Sequence, residues 1–173
     1  QVLEQIADLG LTRTDVLLAL GGGVVGDLGG FAAASFMRGI AFVQVPTSLL
    51  AQIDSSVGGK VAVDLKAGKN LAGAFHQPKA VFIDTDLLKT LPVHFLHDGL
   101  AEAIKTGAIL DRELFDFICN LQDDADLYKN IEHVVAGCVK IKARVVEEDE
   151  FDTGLRMLLN FGHTLGHVIE QYY

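Results

Sequence analysis

The sequence predicts an α/β fold followed by an all-α region. Strand-like apolar runs alternate with helix-like segments as far as residue 88, and glycines follow the first of these strands. Beyond "LKTLP" (88–92) every segment shows the three-to-four-residue apolar spacing of helices. We therefore divide the chain into an α/β domain, residues 1–90, and a helical domain, residues 91–173.

The α/β elements follow one another in a simple order. "QVLEQIADLGL" (1–11) predicts an amphipathic helix, and "DVLLAL" (15–20) predicts a buried parallel strand. "GDLGGFAAASFMRG" (26–39) predicts a closely packed helix, and "IAFVQVPT" (40–47) predicts a second strand, ended by Pro46. "AVFIDTDLL" (80–88) contains a third strand. Strand, helix and strand with glycines at the first turn predict a Rossmann-like nucleotide-binding sheet.

The segment 51–79 lacks periodicity and is rich in glycine, lysine and aspartate, which predicts a long functional loop. The helices that follow are predicted within 95–110, 111–121, 130–150 and 155–171. We interpret the acidic run "EEDE" (147–150) as a solvated turn before the last helix.

Composition excludes several classes of function. The 173 residues carry a formal net charge of -9, which argues against a nucleic-acid or anionic-membrane surface. No stretch approaches the roughly 18 apolar residues of a membrane span. Cys119 and Cys138 lie in apolar helix-like sequence and predict buried free thiols, consistent with the reducing cytoplasm. Lys60, Lys66 and Lys69 are the local exception and predict a basic pocket for a small anion.

The motif "LALGGGVVGD" (18–27) predicts phosphate contact. Gly21, Gly22 and Gly23 would let the backbone approach a pyrophosphate at a helix N-terminus, and Asp27 lies one turn further on. The alternative is a tight strand-to-helix turn that needs glycine conformations.

Two helical segments carry candidate chemistry. Glu102 and Lys105 form an i,i+3 pair in "GLAEAIK", either a solvated ion pair or a pair that includes an oxygen ligand for Zn²⁺. In "LRMLLNFGHTLGH" the polar residues Arg156, Asn160, His163 and His167 would share one face of an α-helix. Such a face predicts a polar wall around an anionic ligand, which Lys142 joins from the preceding helix unless it faces solvent. The alternative for the histidines is an ordinary core or surface pair.

Six blocks in order resemble the 3-dehydroquinate synthase family: "GGGVVGDLGGFAAASFMRGI", "VPTSLLAQIDSSVGGK", "GKNLAGAFHQP", "DTDLLKTLP", "GLAEAIK" and "LLNFGHTLGHVIE". The resemblance implies an NAD-binding α/β domain, a helical domain that binds zinc, cobalt or another divalent metal, and an active site between them. It implies a lyase that turns 3-deoxy-D-arabino-heptulosonate 7-phosphate into 3-dehydroquinate and phosphate, with transient oxidation by NAD. A cytoplasmic enzyme of the shikimate pathway is expected.

The same resemblance assigns roles residue by residue. Glu102 and His163 resemble metal ligands, and His167, Lys105 and Asp54 resemble catalytic positions. Arg38, Lys60, Asn70, Lys142, Arg156 and Asn160 match substrate-binding positions, with Arg38 near a homodimer interface. The positions that match NAD contacts are Gly21, Gly22, Gly23, Asp27, Thr47, Ser48, Lys69, Thr90 and Leu91.

The pattern is incomplete at both ends. The family's third metal ligand would follow His167 at a distance that this sequence does not reach, and its first strands would precede Gln1. We therefore expect a piece of a longer enzyme, inactive alone and with part of its hydrophobic interior uncovered. A sister sugar-phosphate cyclase, a polyol dehydrogenase and a non-catalytic nucleotide-binding module remain the alternatives.

Overall fold

The structure is a computed structural model and describes residues 1–162, 165, 166 and 169. Its first part contains helix α1 (Val2–Asp8), strand β1 (Val16–Gly21), helix α2 (Gly23–Ser35) and strand β2 (Ala41–Pro46). Strand β3 (Lys60–Leu65), strand β4 (Gly68–Phe75) and the short strand β5 (Ala80–Val81) follow. The second part contains helices α3 (Val93–Leu110), α4 (Arg112–Cys119) and α5 (Asp124–Glu148). The predicted α/β-then-helical architecture is confirmed.

Strands β1, β2 and β5 form a parallel sheet in that order, with Gly21 of β1 opposite Pro46 of β2. Helix α2 packs on one face of β1 so closely that a Cβ added at Gly29 would lie 3.0 Å from the Cβ of Ala19. The other face of β1 is open: Val16, Leu18 and Leu20 are 56–60% exposed. Strand β1 is therefore confirmed as a parallel strand, but the prediction that both of its faces are buried is wrong for the described residues.

The segment 51–79 is more ordered than the predicted loop. Ala51–Ser55 forms a π-helical turn, and β3 and β4 form an antiparallel hairpin with an irregularity between Val63 and Leu65. The Asp64 carboxylate accepts a hydrogen bond of 2.8 Å from the amide of Asn70, whose backbone has a left-handed φ of 57°. This side-chain bond closes the hairpin, a use of aspartate that is common in turns.

The buried apolar side chains form two clusters. The smaller cluster lies between α2 and the strands and contains Phe42 and Val61. The larger cluster lies among α3, α4 and α5 but includes Leu49, Ile53 and Leu88 from the first part of the chain. The helical layer is therefore packed directly on the segment that follows β2, which brings residues from both parts of the chain to one site.

Both cysteines are free, as predicted, but only Cys138 is buried. Burial raises the pKa of the Cys138 thiol to about 12, so this thiol stays protonated. Cys119 is exposed at the end of α4, so its predicted burial is wrong. Among the described helices, none combines the length and the apolar composition that a membrane span requires.

Candidate active site between the sheet edge and the helical layer

The carboxyl edge of the sheet brings together the glycines after β1 and the residues after β2. The amide of Thr47 donates to the carbonyl of Gly21 at 3.0 Å, and α2 begins directly after Gly22. A Cβ on Gly22 would lie 3.5 Å from Ser48 Oγ, and one on Gly23 would lie 3.2 Å from Ser55 Oγ. The glycines therefore leave main-chain amides uncovered by their own side chains at the start of a helix of 13 residues. This arrangement is suited to binding a pyrophosphate.

Asp27 lies on α2 and lines a cleft of about 520 Å³ together with Lys60 and Asn70. Burial, with further repulsion from Asp54 and Asp64, raises the pKa of Asp27 to about 6, although Lys142 opposes this shift. The carboxyl group therefore exchanges its proton near neutral pH. Asp27, which is predicted to bind the cofactor, therefore lines the same cleft as Lys60 and Asn70, which are predicted to bind the substrate.

Lys142 of α5 reaches the π-helical turn and is only 8% exposed. Its ammonium donates to the main-chain oxygen of Asp54 at 2.6 Å and forms an ion pair with the Asp54 carboxylate. Burial lowers the pKa of Lys142 despite this carboxylate. The alternative of a solvent-facing lysine is excluded, because the side chain links the helical layer to the segment after β2.

Glu102 and Lys105 form a second ion pair of 2.7 Å on α3, and their side chains are 16% and 15% exposed. Lys105 Nζ also donates to the carbonyl of Leu159 at 2.6 Å. Burial, followed by repulsion from Asp54, raises the pKa of Glu102, whereas Lys105 and Lys142 act to lower it. The solvated-pair alternative is therefore wrong, and this pair belongs to the same electrostatic cluster as Asp54 and Lys142.

Arg156 is the third buried cation. It is 3% exposed, its Nη1 donates to the carbonyl of Glu150 at 2.6 Å, and its Nη2 donates to the carbonyl of Gly58 at 3.0 Å. Burial lowers the pKa of Arg156, against the opposing effect of Asp152 and Asp54. Gly58 has a φ of +105°, and a Cβ there would lie 2.4 Å from Nη2, so glycine is needed for this contact.

The predicted α-helical stripe of Arg156 and Asn160 is wrong for the described residues. Leu155–Asn160 is a 3₁₀ helix, in which side chains four positions apart point about 120° apart. Arg156 is buried and Asn160 is exposed. His163 and His167, the rest of the stripe, lie outside the described residues.

The remaining predicted site residues lie around this centre. Lys60 forms an ion pair with Asp152, and Lys69 is exposed on β4. Thr90 and Leu91 end a 3₁₀ helix and donate to the carbonyls of Leu87 and Leu88 within that turn. Arg38 is exposed in the turn after α2, where its φ is 69°.

The described residues support a nucleotide site better than a complete metal site. Glu102 supplies one partly buried carboxylate oxygen that could be a metal ligand. The described part of the chain contains no group of three His, Cys, Asp or Glu side chains that could hold a metal ion. The second predicted ligand, His163, is outside that part. Glu102 fits as one ligand of a shared set, and its present partner is Lys105.

Sequence reasoning missed three residues that shape the site: Asp149, Asp152 and Gly58. The acidic-turn interpretation covers Asp149, yet its carboxylate accepts hydrogen bonds from Thr153, Gly154 and Arg156. The available signal is an aspartate directly after a helix with a threonine and a glycine four and five positions later, within reach of local side-chain-to-backbone bonding.

Comparison with known proteins identifies the family. Family models described as the N-terminal and C-terminal parts of 3-dehydroquinate synthase match residues 1–98 and 99–173. A 3-dehydroquinate synthase of Clostridium acetobutylicum is 59% identical over 99% of this chain and 48% of its own length. The chain thus spans about half the length of the curated relatives it matches.

Solved structures of related cyclases share the fold. A 2-deoxy-scyllo-inosose synthase complexed with carbaglucose-6-phosphate, NAD⁺ and Co²⁺ is 35% identical, with a TM-score of 0.90 over 98% of this chain and 47% of that protein. A 2-epi-5-epi-valiolone synthase from Streptomyces hygroscopicus, with NAD⁺ and Zn²⁺ bound, is 31% identical, with a TM-score of 0.81 over 94% of this chain and 46% of that protein. Because the two family models together match residues 1–173, the chain belongs to the 3-dehydroquinate synthase family.

Proposed function

We propose that the full-length protein is a 3-dehydroquinate synthase. It would convert 3-deoxy-D-arabino-heptulosonate 7-phosphate to 3-dehydroquinate and phosphate, as a cytoplasmic enzyme of the shikimate pathway. The identity of 59% to a curated 3-dehydroquinate synthase exceeds the 31–35% identity to the two cyclases of other substrates, which favours this substrate over theirs.

The buried charge cluster is the observation that carries the proposal. It consists of three cations, Lys105, Lys142 and Arg156, and two carboxylates, Asp54 and Glu102. Asp54 comes from the part matched by the N-terminal family model and the others from the part matched by the C-terminal model. A substrate with a carboxylate and a phosphate needs buried cations of this kind.

The cations would bind and orient the substrate, and the carboxylates would hold the cations in place before it arrives. Lys142 has a lowered pKa and lies against Asp54, so it can release or accept a proton more easily than an exposed lysine. Lys60 and Asn70 would contact the substrate from the cleft that they share with Asp27. The roles of Asn160, His163 and His167 remain predictions.

Residues in and around this cluster would hold the two cofactors. When bound, NAD⁺ supplies a hydride acceptor, and the divalent metal polarises a substrate hydroxyl. Gly21, Gly22 and Gly23 would contact the dinucleotide phosphates beside Thr47 and Ser48, and Asp27 would hydrogen-bond the dinucleotide. Lys69, Thr90 and Leu91 are proposed for the same ligand. Glu102 would leave Lys105 to become a metal ligand with His163.

We also propose a division of the chain at residues 90 and 91 and a homodimer with Arg38 near its interface. The helical cluster among α3, α4 and α5 supports the division, although Leu49, Ile53 and Leu88 contribute to the same cluster. The exposure of Arg38 leaves it available for a partner.

Phosphate release from 3-deoxy-D-arabino-heptulosonate 7-phosphate, with NAD⁺ and Zn²⁺, tests the proposal in the full-length protein. Glucose 6-phosphate is the comparison substrate, because it differs little from the carbaglucose-6-phosphate bound to the 2-deoxy-scyllo-inosose synthase. We expect release from the heptulosonate phosphate alone. Release from glucose 6-phosphate, or accumulation of NADH as in a polyol dehydrogenase, would contradict the assignment.

A further inference from the structure

The loop between α5 and the 3₁₀ helix is organised by one carboxylate, that of Asp149. Its Oδ1 accepts hydrogen bonds from the amide of Thr153 at 2.9 Å and from the hydroxyl of the same residue at 3.3 Å. Its Oδ2 accepts from the amides of Gly154 at 2.7 Å and Arg156 at 3.0 Å. Each carboxylate oxygen therefore binds two donors, and the loop closes around them.

The loop binds both the main chain and the side chain of Arg156. Its amide is bound to Asp149, and its guanidinium donates to the carbonyl of Glu150, which belongs to the same loop. The third anchor, the carbonyl of Gly58, lies across the interface with the α/β part. A change in the shape of the loop would therefore move the guanidinium relative to Asp54 and Lys142.

We propose that Asp149 is a positioning residue, which holds Arg156 in the orientation that binds the anionic substrate. The inference rests on the proposed function for the role of Arg156. Asp149 itself does not contact the substrate in this proposal. It acts on substrate binding only through the arginine.

Only a carboxylate can make this set of contacts. The side chain of asparagine has the same shape, but its amide nitrogen would replace one oxygen and, as a donor itself, could not accept the bond from the N–H group that it faces. The hydrogen bonds from the backbone hold the pKa of Asp149 at about 2, so the carboxylate is ionised at any pH used in an assay. The change of Asp149 to asparagine therefore removes acceptors without changing volume.

The competing role is purely structural. Asp149 is also the residue at which α5 ends, and a cap that only stabilised the helix would affect stability and leave substrate binding by the folded protein unchanged. The two roles differ in whether the effect of Asp149 depends on the presence of Arg156. A double-mutant cycle measures this dependence directly.

The test compares Asp149→Asn, Arg156→Gln and the double variant in the full-length protein, with kcat and KM measured for the heptulosonate phosphate. Thr153→Ala is the matched control, since it removes only the weakest bond to the same carboxylate. We expect Asp149→Asn to raise KM about tenfold or more, the effect of losing a charge-assisted hydrogen bond, with a smaller change in kcat. The control should stay within about twofold of the wild type.

The double variant should have a kcat/KM less than about twofold below that of Arg156→Gln alone. Additive losses, or a lowered melting temperature with unchanged KM, would overturn the proposal.

Hydrogen exchange of the Arg156 amide gives a second readout that needs no substrate. Faster exchange in Asp149→Asn but not in Thr153→Ala supports the proposal, and unchanged exchange in both overturns it. A wild-type enzyme without phosphate release would refute the proposed function, while the exchange result would still decide whether Asp149 holds Arg156.

Discussion

The change Asp54→Asn tests whether the buried charge cluster holds the two parts of the chain together. Lys142 is 8% exposed and would lose the carboxylate that balances its charge, while its bond of 2.6 Å to the main-chain oxygen of residue 54 would remain. Removal of one partner of a buried ion pair costs about 3–5 kcal/mol. Because the Asp54 side chain is 37% exposed and one acceptor remains, we expect a loss of about 2 kcal/mol in the free energy of unfolding.

Urea unfolding at pH 7 measures this loss, and an unchanged m-value would show that only stability changed. Glu148→Gln is the matched control, because its partner Arg144 is 81% exposed at a distance of 3.2 Å. Such a surface pair contributes less than about 0.5 kcal/mol. A loss in Asp54→Asn that does not exceed the loss in this control would refute the reasoning.

The dependence on pH provides a second check on Asp54→Asn. Burial lowers the pKa of Lys142 in the folded state below that of the unfolded chain, so the charged lysine opposes folding at neutral pH. This penalty decreases as the pH rises through the folded-state pKa toward the ordinary value of about 10.4. Loss of the carboxylate lowers that pKa further, so the deficit of the variant should shrink between pH 7 and pH 10. A deficit that stays constant over this range would contradict the account.

Three further substitutions test the sheet edge and the packing between layers. Asp27→Asn should raise the free energy of unfolding by about 1 kcal/mol above pH 6, allowing for solvent screening, because it removes a carboxylate whose pKa is raised to about 6. In urea unfolding this gain should shrink as the pH falls below 6 and vanish only below about pH 3, well under the ordinary carboxyl pKa of about 3.9, where the group is protonated in both states; a gain at every pH would contradict the cause. Gly99→Ala should lower stability by about 2 kcal/mol in thermal unfolding, because its Cβ would lie 2.6 Å from that of Leu49. Gly137→Ala is its control and should lose less stability, since its Cβ would meet the end of the Leu114 side chain at 3.0 Å rather than a main-chain atom. Gly22→Ala should leave stability unchanged yet weaken NAD⁺ binding about tenfold in calorimetry, and unchanged affinity would remove the glycine from the proposed dinucleotide site.

The parts of the fold that follow from local signals were predictable from sequence. The glycines at 21–23 follow an apolar run and mark the turn from β1 into α2. The apolar run is typical of a buried strand, and a cluster of glycines is typical of the turn that follows one. The β3–β4 hairpin was not predictable in the same way. Its strands contain Lys69, Asn70 and Gly73, which are poor strand formers, and the hairpin is closed by a hydrogen bond from the Asn70 amide to the Asp64 carboxylate.

The site shows the same limit. The pair of Glu102 and Lys105 was predictable because three residues separate its members on one helix. The contact of Lys142 with Asp54 joins residues 88 positions apart, and no periodic signal specifies such a pair. The helical stripe through Arg156 was wrong because Leu155–Asn160 is a 3₁₀ helix, and its Arg156 amide is bound by the Asp149 side chain, which no periodic pattern specifies. Side-chain contacts of this kind depend on the tertiary structure.

The measurement that tests the central claim most directly is the number of product molecules formed per molecule of NAD⁺ in the full-length protein. With NAD⁺ at a small fraction of the substrate concentration, we expect complete conversion of 3-deoxy-D-arabino-heptulosonate 7-phosphate to 3-dehydroquinate, identified by carbon-13 NMR, with one phosphate per product and no NADH remaining. Product formation that stops when it equals the added NAD⁺, or a carbocycle other than 3-dehydroquinate, would contradict the account.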